Sequence, residues 1–401
     1  MRNLPLFLLT CLTALIFIPT DAEAQEAEAE AWAHLPEPVT NNAVAGARVD
    51  GRMMAYSFAG LHEGKTWRDV TSDAYACDLE ARECREMEGL PDGIGRLASV
   101  AVNVREQIYI FGGYTVAEDG SERSTPEVWR FDPASETYTL ITRMPVPVDD
   151  TIALPFEDRY IYLVSGWHDT DNVDLVQVYD VEENRWFDAT PFPGAPVFGH
   201  AGGITTTGEI MVCGGTAVIP PAEVGGRRSF AATDACTFGR VSMRGELGHD
   251  QIPVLEWVSS HTYTYPRVIR GWRAEDLNDV SVVDESVALY RAAVVNLADG
   301  IVFIGGSDNA YNFSGIGYNG EPSSPLEFAR FWHGCGGIKE FFPLELAPEI
   351  NRMDLRGAVY WNRYLFTLGG MSDTQIVTDS VQANRILGPN WVFDECVLGA
   401  E

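Results

Sequence analysis

Ten polar residues, far apart in the chain, could act together on one small molecule. Arg96, Asp150, His200, Arg291 and Arg356 each open a short apolar strand, and His168, Asp169, Asp308, Asn309 and Asp373 each follow a strand that ends in glycine. An arginine fork grips a carboxylate through two parallel N–H···O bonds. Aspartate accepts hydrogen bonds from hydroxyls, and asparagine both accepts and donates. Tyr114 and Trp167, which also follow glycines, offer flat faces on which a sugar ring stacks. Brought to one mouth, these residue types suit a polyhydroxylated or acidic small molecule. A second use of the arginines is structural, as hydrogen-bond donors between neighbouring units. His200 alone reads more readily as a histidine satisfied inside the fold. No spacing assigns a catalytic residue.

Convergence requires elements that repeat around a common axis, and the chain has them. An apolar strand ending in a glycine pair recurs as Tyr109-Ile110-Phe111-Gly112-Gly113, Leu163-Val164-Ser165-Gly166, Met211-Val212-Cys213-Gly214-Gly215, Phe303-Ile304-Gly305-Gly306 and Phe366-Thr367-Leu368-Gly369-Gly370. Tyr56-Ser57-Phe58-Ala59-Gly60 is a degenerate copy. Between copies come an alternating strand, an Asp-led turn and a strand opened by an aromatic, as in Val128–Asp132 before Tyr138 and Val176–Asp180 before Trp186. Period-2 alternation bounded by turn residues is the mark of a strand. Each unit therefore holds four short antiparallel strands, the content of one propeller blade. The glycines permit positive φ and close backbone approach where the inner strands crowd the axis.

A period of about 50 residues resembles that of Kelch repeats, and the likeness covers nearly all of the chain after residue 24. It implies an all-β, six-bladed Kelch-type β-propeller. Trp32–Pro38 is expected to be the last strand of a blade displaced to the N-terminus, pairing near Leu365–Gly370 and Thr378–Ile386 and sealing the ring. Residues 217–250 and 267–288 are expected to be excursions of blades four and five, because the step from Gly215 to Gly306 is long. Within the superfamily, the order of parts is similar to the periplasmic sialic-acid mutarotase group (N-acetylneuraminate epimerases), with Leu35-Pro36 near the closing strand and Val377–Val381 after the last glycine pair. That likeness implies interconversion of the anomers of a free acidic sugar, which takes one general acid and one general base. Where that group carries an acidic residue after the fourth glycine pair, this chain has Thr216, with Glu223, Arg227 and Arg228 displaced along the chain. A non-catalytic ring that binds a protein partner remains a second reading. A galactose-oxidase-like copper enzyme is a third, and no tyrosine, histidine and cysteine spacing supports its metal, so neither a metal nor another cofactor is expected.

The remaining features bound these readings. Arg2, the apolar run Leu4–Ile18 and Ala22-Glu23-Ala24 read as a signal peptide over residues 1–24, leaving a single domain over 25–401, exported to the periplasm or secreted. The apolar run is shorter than the roughly 20 residues that span a bilayer, and no later segment is long and apolar enough to span. A net charge of -30 argues against a nucleic-acid partner, which needs a basic footprint. Beyond Cys11, six cysteines remain, an even number that in an exported chain reads as disulfides. The expected pairs are Cys77–Cys84, Cys213–Cys236 and Cys335–Cys396.

Overall fold

The computed structural model describes residues 31–387, apart from 220–228, 246–251, 260–262, 271–281, 298–299, 314–317, 320–322 and 335–338. The signal-peptide segment, and the expected Cys335–Cys396 pair, lie outside the described residues. No helix among those described is long and apolar enough to cross a membrane.

The apolar runs ahead of the glycines become the second strands of six four-stranded antiparallel sheets. From the axis outward, blade one is Ala43–Val49, Arg52–His62, Val70–Asp78 and Glu83–Met87. Blade two is Val100–Val104, Gln107–Phe111, Glu127–Asp132 and Thr137–Arg143. Blade three is Ile152–Phe156, Tyr160–Val164, Val176–Asp180 and Arg185–Asp188. Blade four is Phe198–Ile204, Glu209–Ile219, Ala235–Arg244 and Ile252–Trp257. Blade five is Ala293–Leu297, Gly300–Ile304, Ala329–His333 and Glu340–Leu344.

Blade six is Val359–Trp361, Tyr364–Leu368 and Ser380–Ile386, with Ala33–His34 as its outermost strand. Ala33 lies opposite Val381 and His34 opposite Ser380. The Trp32 and Leu35 amides donate to Val381 and Asp379 at 2.9 and 2.7 Å, extending the ladder at both ends. Two ends of the chain thus share one sheet, and the ring has no free first or last blade. The strand reached by this segment is Ser380–Ile386; Tyr364–Leu368 lies one place further in.

The long step from Gly215 to Gly306 has two structural causes. Residues 217–250 are not one excursion, because Ala235–Arg244 is the third strand of blade four. The extra length lies in the overlong second strand, which continues to Ile219 and pairs there with Ser229–Ala232. Pro266–Arg270 and Val282–Ser286 form a separate two-stranded ribbon before blade five.

Each neighbouring pair of blades buries its own apolar cluster. Tyr56, Phe58, Ile110 and Phe131 fill the gap between blades one and two, and Phe111, Val128, Leu163 and Tyr179 the next. The last gap, between blades six and one, holds Leu35, Val39, Val44, Tyr75, Phe366 and Val381. The glycine pairs let adjacent blades meet. A Cβ on Gly214, at φ +71, would lie 2.0 Å from the Leu289 carbonyl oxygen, and one on Gly369, at φ +66, would lie 2.2 Å from that of Val39. Cys77 faces Cys84 and Cys213 faces Cys236 across paired strands, with sulfurs at 2.06 and 2.01 Å, compatible with two disulfides.

Leu35, 3% exposed, is an apolar anchor of the closing segment. Replacing it with alanine should cost about 2–5 kcal/mol, the range for a buried leucine. Denaturant unfolding of Leu35→Ala checks this, and a loss similar to that of an exposed-site change would show that the segment does not close the ring.

Candidate functional site

One residue from each blade turns the chain onto its inner strand with positive φ: Asn41, Ala98, Asp150, Gly199, Arg291 and Asp354, all between 51° and 65°. Left-handed backbone is uncommon for residues other than glycine, and here it recurs at the same place in every unit. The turned residues bond in sequence around the axis. Ala98 N donates to Asn41 O, Asp150 N to Ala98 O, Gly199 N to Asp150 O, Arg291 N to Gly199 O, and Leu355 N to Arg291 O.

Their side chains close the axis with a buried ion cluster. Arg291 donates to Asp150 at 2.6 Å and to Asp354 at 3.0 Å. Arg356 lies 2.8 Å from the other Asp150 oxygen and donates to Asn41 Oδ1 at 3.1 Å. Thr40 Oγ1 donates to Asp354 at 2.7 Å. Two guanidiniums thus meet two carboxylates, and none of the four side chains is more than 5% exposed. Burial alone would raise the Asp150 pKa, but Arg291 and Arg356 hold it below the ordinary carboxylate value. Burial opposes the charge on Arg291 as well, yet Asp150, Tyr290 and Asp354 raise its pKa well above the usual value.

This cluster divides the axis in two. On the side away from the glycine turns, the inner strands enclose a channel of about 350 Å³, lined by residues such as Val44, Ala101, Ile152, Gly202, Val294 and Val359, with His200 and Arg356 among them. Burial lowers the His200 pKa to about 4. Its Nε2 donates to the Val164 carbonyl at 2.8 Å, and none of the described residues bonds Nδ1.

On the glycine-turn side lies a narrow cleft between blades two, three and four, lined by Tyr114, Glu122, Arg123, Ser124, Asp149, Asp150, Trp167, Asp169, Phe198 and Phe230. Two short ribbons form its polar side, Tyr114–Val116 with Glu122–Ser124 and Trp167–His168 with Asp171–Asn172. The Asp169 amide donates to Ser124 Oγ at 3.0 Å, and Ser124 Oγ donates to Asp149 at 2.6 Å. Trp167, Phe198 and Phe230 meet edge to face, with ring centroids 5.2–6.1 Å apart, a favoured aromatic arrangement. Asp149 is 2% exposed. Burial, with Asp150 and Glu122 adding to it, raises its pKa well above the ordinary value despite the Ser124 bond.

The ten residues singled out in the sequence divide accordingly. Asp150, Arg291 and Arg356 meet on the axis, with His200 on the channel beside them. Asp150 and Asp169 line the cleft. His168, next to Asp169, donates through Nδ1 to the Pro147 carbonyl at 2.7 Å. Arg96 does not join the other arginines: it is buried, bonded to Asp92 and to the Ile94 carbonyl. Asp308 pairs with Arg267, the Asn309 backbone amide donates to Ser307 Oγ at 3.1 Å, and Asp373 accepts from Ser324. None of these last three lines the cleft.

Sequence reading passed over Asp149, Ser124, Glu122, Phe230, Asn41 and Asp354. Asp149 carries a signal of its own. The residues just before the left-handed turns are Thr40, Leu97, Asp149, Phe198, Tyr290 and Met353, all buried. One carboxyl in a column otherwise apolar, or threonine, breaks the local rule, and such breaks are expected at functional sites.

Removing one partner of a buried ion pair leaves the other uncompensated. Arg291→Met should therefore cost about 3–5 kcal/mol, whereas Arg85→Met, in the exposed pair with Glu136, should cost less than about 1 kcal/mol. Equal losses in urea unfolding would refute the axial assignment. His200 gives a pH test. Its folded pKa lies below its unfolded value of 6.5, so its contribution is complete above pH 6.5 and is lost as pH falls toward 4, by roughly 3 kcal/mol in all. Stability measured across that window should fall less in His200→Gln than in the unmodified chain.

Comparison with known proteins agrees with this architecture. A Kelch motif matches residues 95–145, which run from the turn into blade two to its outer strand. Kelch-like protein 15 of Gallus gallus is 27% identical over 112 residues, 28% of this chain and 22% of that protein. The Danio rerio protein of the same name is 27% identical over 107 residues, 27% of this chain and 17% of that protein. The chain therefore spans about a fifth of these relatives' length. A solved structure titled "Structure of YjhT" superposes with a TM-score of 0.57 at 14% identity, covering 87% of this chain and 95% of that one, a likeness of fold. With six four-stranded sheets closed by the N-terminal segment, the chain is a six-bladed β-propeller carrying a Kelch motif.

Proposed function

We propose that this is an exported propeller that holds a small polyhydroxylated ligand, such as a sugar, in the cleft on its glycine-turn face. One observation carries this reading: carboxyls, a hydroxyl and aromatic rings from three blades converge on one concave site, the composition expected of a small-ligand pocket. Asp169, Glu122 and Arg123 can exchange hydrogen bonds with hydroxyls, while Trp167 and Phe230 offer apolar surface to a ring face. The cleft is narrow, so it takes one edge of the ligand and leaves the rest against the rim. The axial arginines do not serve as the anchor for an acidic sugar in this reading, since Asp150 and Asp354 already neutralise them.

Mutarotation is the activity that fits. It requires a proton donor and a proton acceptor at one anomeric centre, and Asp149 with Asp169 or Glu122 supplies both. Proton removal from the anomeric hydroxyl, with protonation of the ring oxygen, breaks the C–O bond and frees the carbonyl form. Reclosure reverses both transfers, so protons and electrons balance.

Docking of a protein partner is the second reading. Its support is the likeness to Kelch-like proteins and the ribbon before blade five, which exposes Val268 and Val283.

The purified protein titrated with a panel of free monosaccharides, read by tryptophan fluorescence and by NMR anomer exchange, tests the proposal. At least one neutral sugar should perturb the Trp167 signal saturably, and Asp169→Ala should weaken that binding at least tenfold. Absence of saturable binding across the panel, with the protein folded, would remove the small-ligand reading and leave protein docking.

A further inference from the structure

Asp149 is a buried acid with no ion pair among the described residues. It is 2% exposed, yet it lines the cleft. Oδ2 accepts from Ser124 Oγ at 2.6 Å, and Oδ1 has no hydrogen-bond partner among the described residues. Nor do those residues supply an ion pair. The guanidiniums on the axis, Arg291 and Arg356, are bonded to Asp150 and Asp354. The charged and titratable groups around it are Asp150 on its own strand entry, Glu122 and Arg123 on the blade-two ribbon, Asp169 on the blade-three ribbon, and Tyr114, whose buried hydroxyl has no partner. Arg123 is exposed. An ionised Asp149 would be a desolvated carboxylate with an ionised neighbour and no ion pair among the described residues, a costly arrangement.

We propose that Asp149 meets the ligand as a neutral carboxylic acid, donating a hydrogen bond from Oδ1 to an uncharged ligand oxygen, and that the cleft thereby selects neutral hydroxylated ligands over their carboxylate counterparts. This rests on the small-ligand reading above, and it names the ligand class within it. The Ser124 bond holds the carboxyl with one oxygen satisfied and the other toward the cleft. A ligand carboxylate would stand in the same cleft as the Glu122 and Asp169 side chains. The raised pKa of Asp149 agrees with this geometry.

Two measurements test it independently. The first needs no ligand: difference infrared spectra of the intact protein against Asp149→Asn at pH 7 should show the C=O stretch of one protonated carboxyl, lost in the variant. A difference showing only carboxylate stretches would overturn the proposal. The second compares neutral hexoses with the matching uronates at pH 5 to 9. The neutral sugar should bind at least tenfold tighter, and its affinity should not rise with pH. Asp149→Asn keeps a donor and should lose less than fivefold, with thermal melting confirming that it folds, while Asp149→Ala should lose tenfold or more. Tighter uronate binding, or a greater loss in Asp149→Asn than in Asp149→Ala, would overturn the proposal. If the protonated-acid band is present but no sugar binds, the small-ligand reading fails and the neutral state of Asp149 stands.

Discussion

The bond of Arg291 to Asp150 and Asp354 is the contact on which the centre of this propeller depends. A closed ring brings six strand entries to one axis. Two arginines and two aspartates meet there, each satisfying charge that the fold has taken out of water. Such a cluster is not a large source of net stability, because desolvation offsets most of the attraction. It sets register: Asp150 comes from blade three, Arg291 from blade five, and Asp354 and Arg356 from blade six. Asn41 and Thr40 bind the same aspartate from blade one. Four blades that are remote in sequence are thereby held at one point.

The same cluster separates two environments. The channel side is lined chiefly by small apolar side chains and backbone, and it holds a neutral histidine. The glycine-turn side holds acids, a serine hydroxyl and aromatic rings. Asp150 and Asp149 are adjacent in sequence and opposite in character. Alternation along the chain turns Asp150 to the axis, where two guanidiniums lower its pKa, and leaves Asp149 at the cleft with no ion pair among the described residues, where burial raises its pKa.

The ring itself was legible because its signals repeat. Six glycine-terminated strands, aromatics at matching offsets and a displaced strand near Leu35 each follow from how blades pack, and each is local. Cys77–Cys84 and Cys213–Cys236 were legible for the same reason, since each pair faces across adjacent strands. The two excursions were harder. The strand Glu209–Ile219 runs on past the glycine pair at which its counterparts end, so Ala235–Arg244 falls inside the stretch expected to be an excursion.

The site was legible only in part, and the reason lies in side-chain direction. Sequence spacing places Arg96, Arg291 and Arg356 at similar points in their repeats, but Arg96 stands two residues before Ala98, the left-handed turn residue of its unit, whereas Arg291 is itself the turn residue and Arg356 follows Asp354 by two. A shift of this size decides whether a guanidinium reaches the axis or folds back onto Asp92. Counting from the turn residue rather than from the glycine pair restores the column in which Asp149 is the single carboxyl. In a closed repeat ring, then, the useful reference point is the residue with forced backbone geometry, because every neighbouring side chain takes its direction from it.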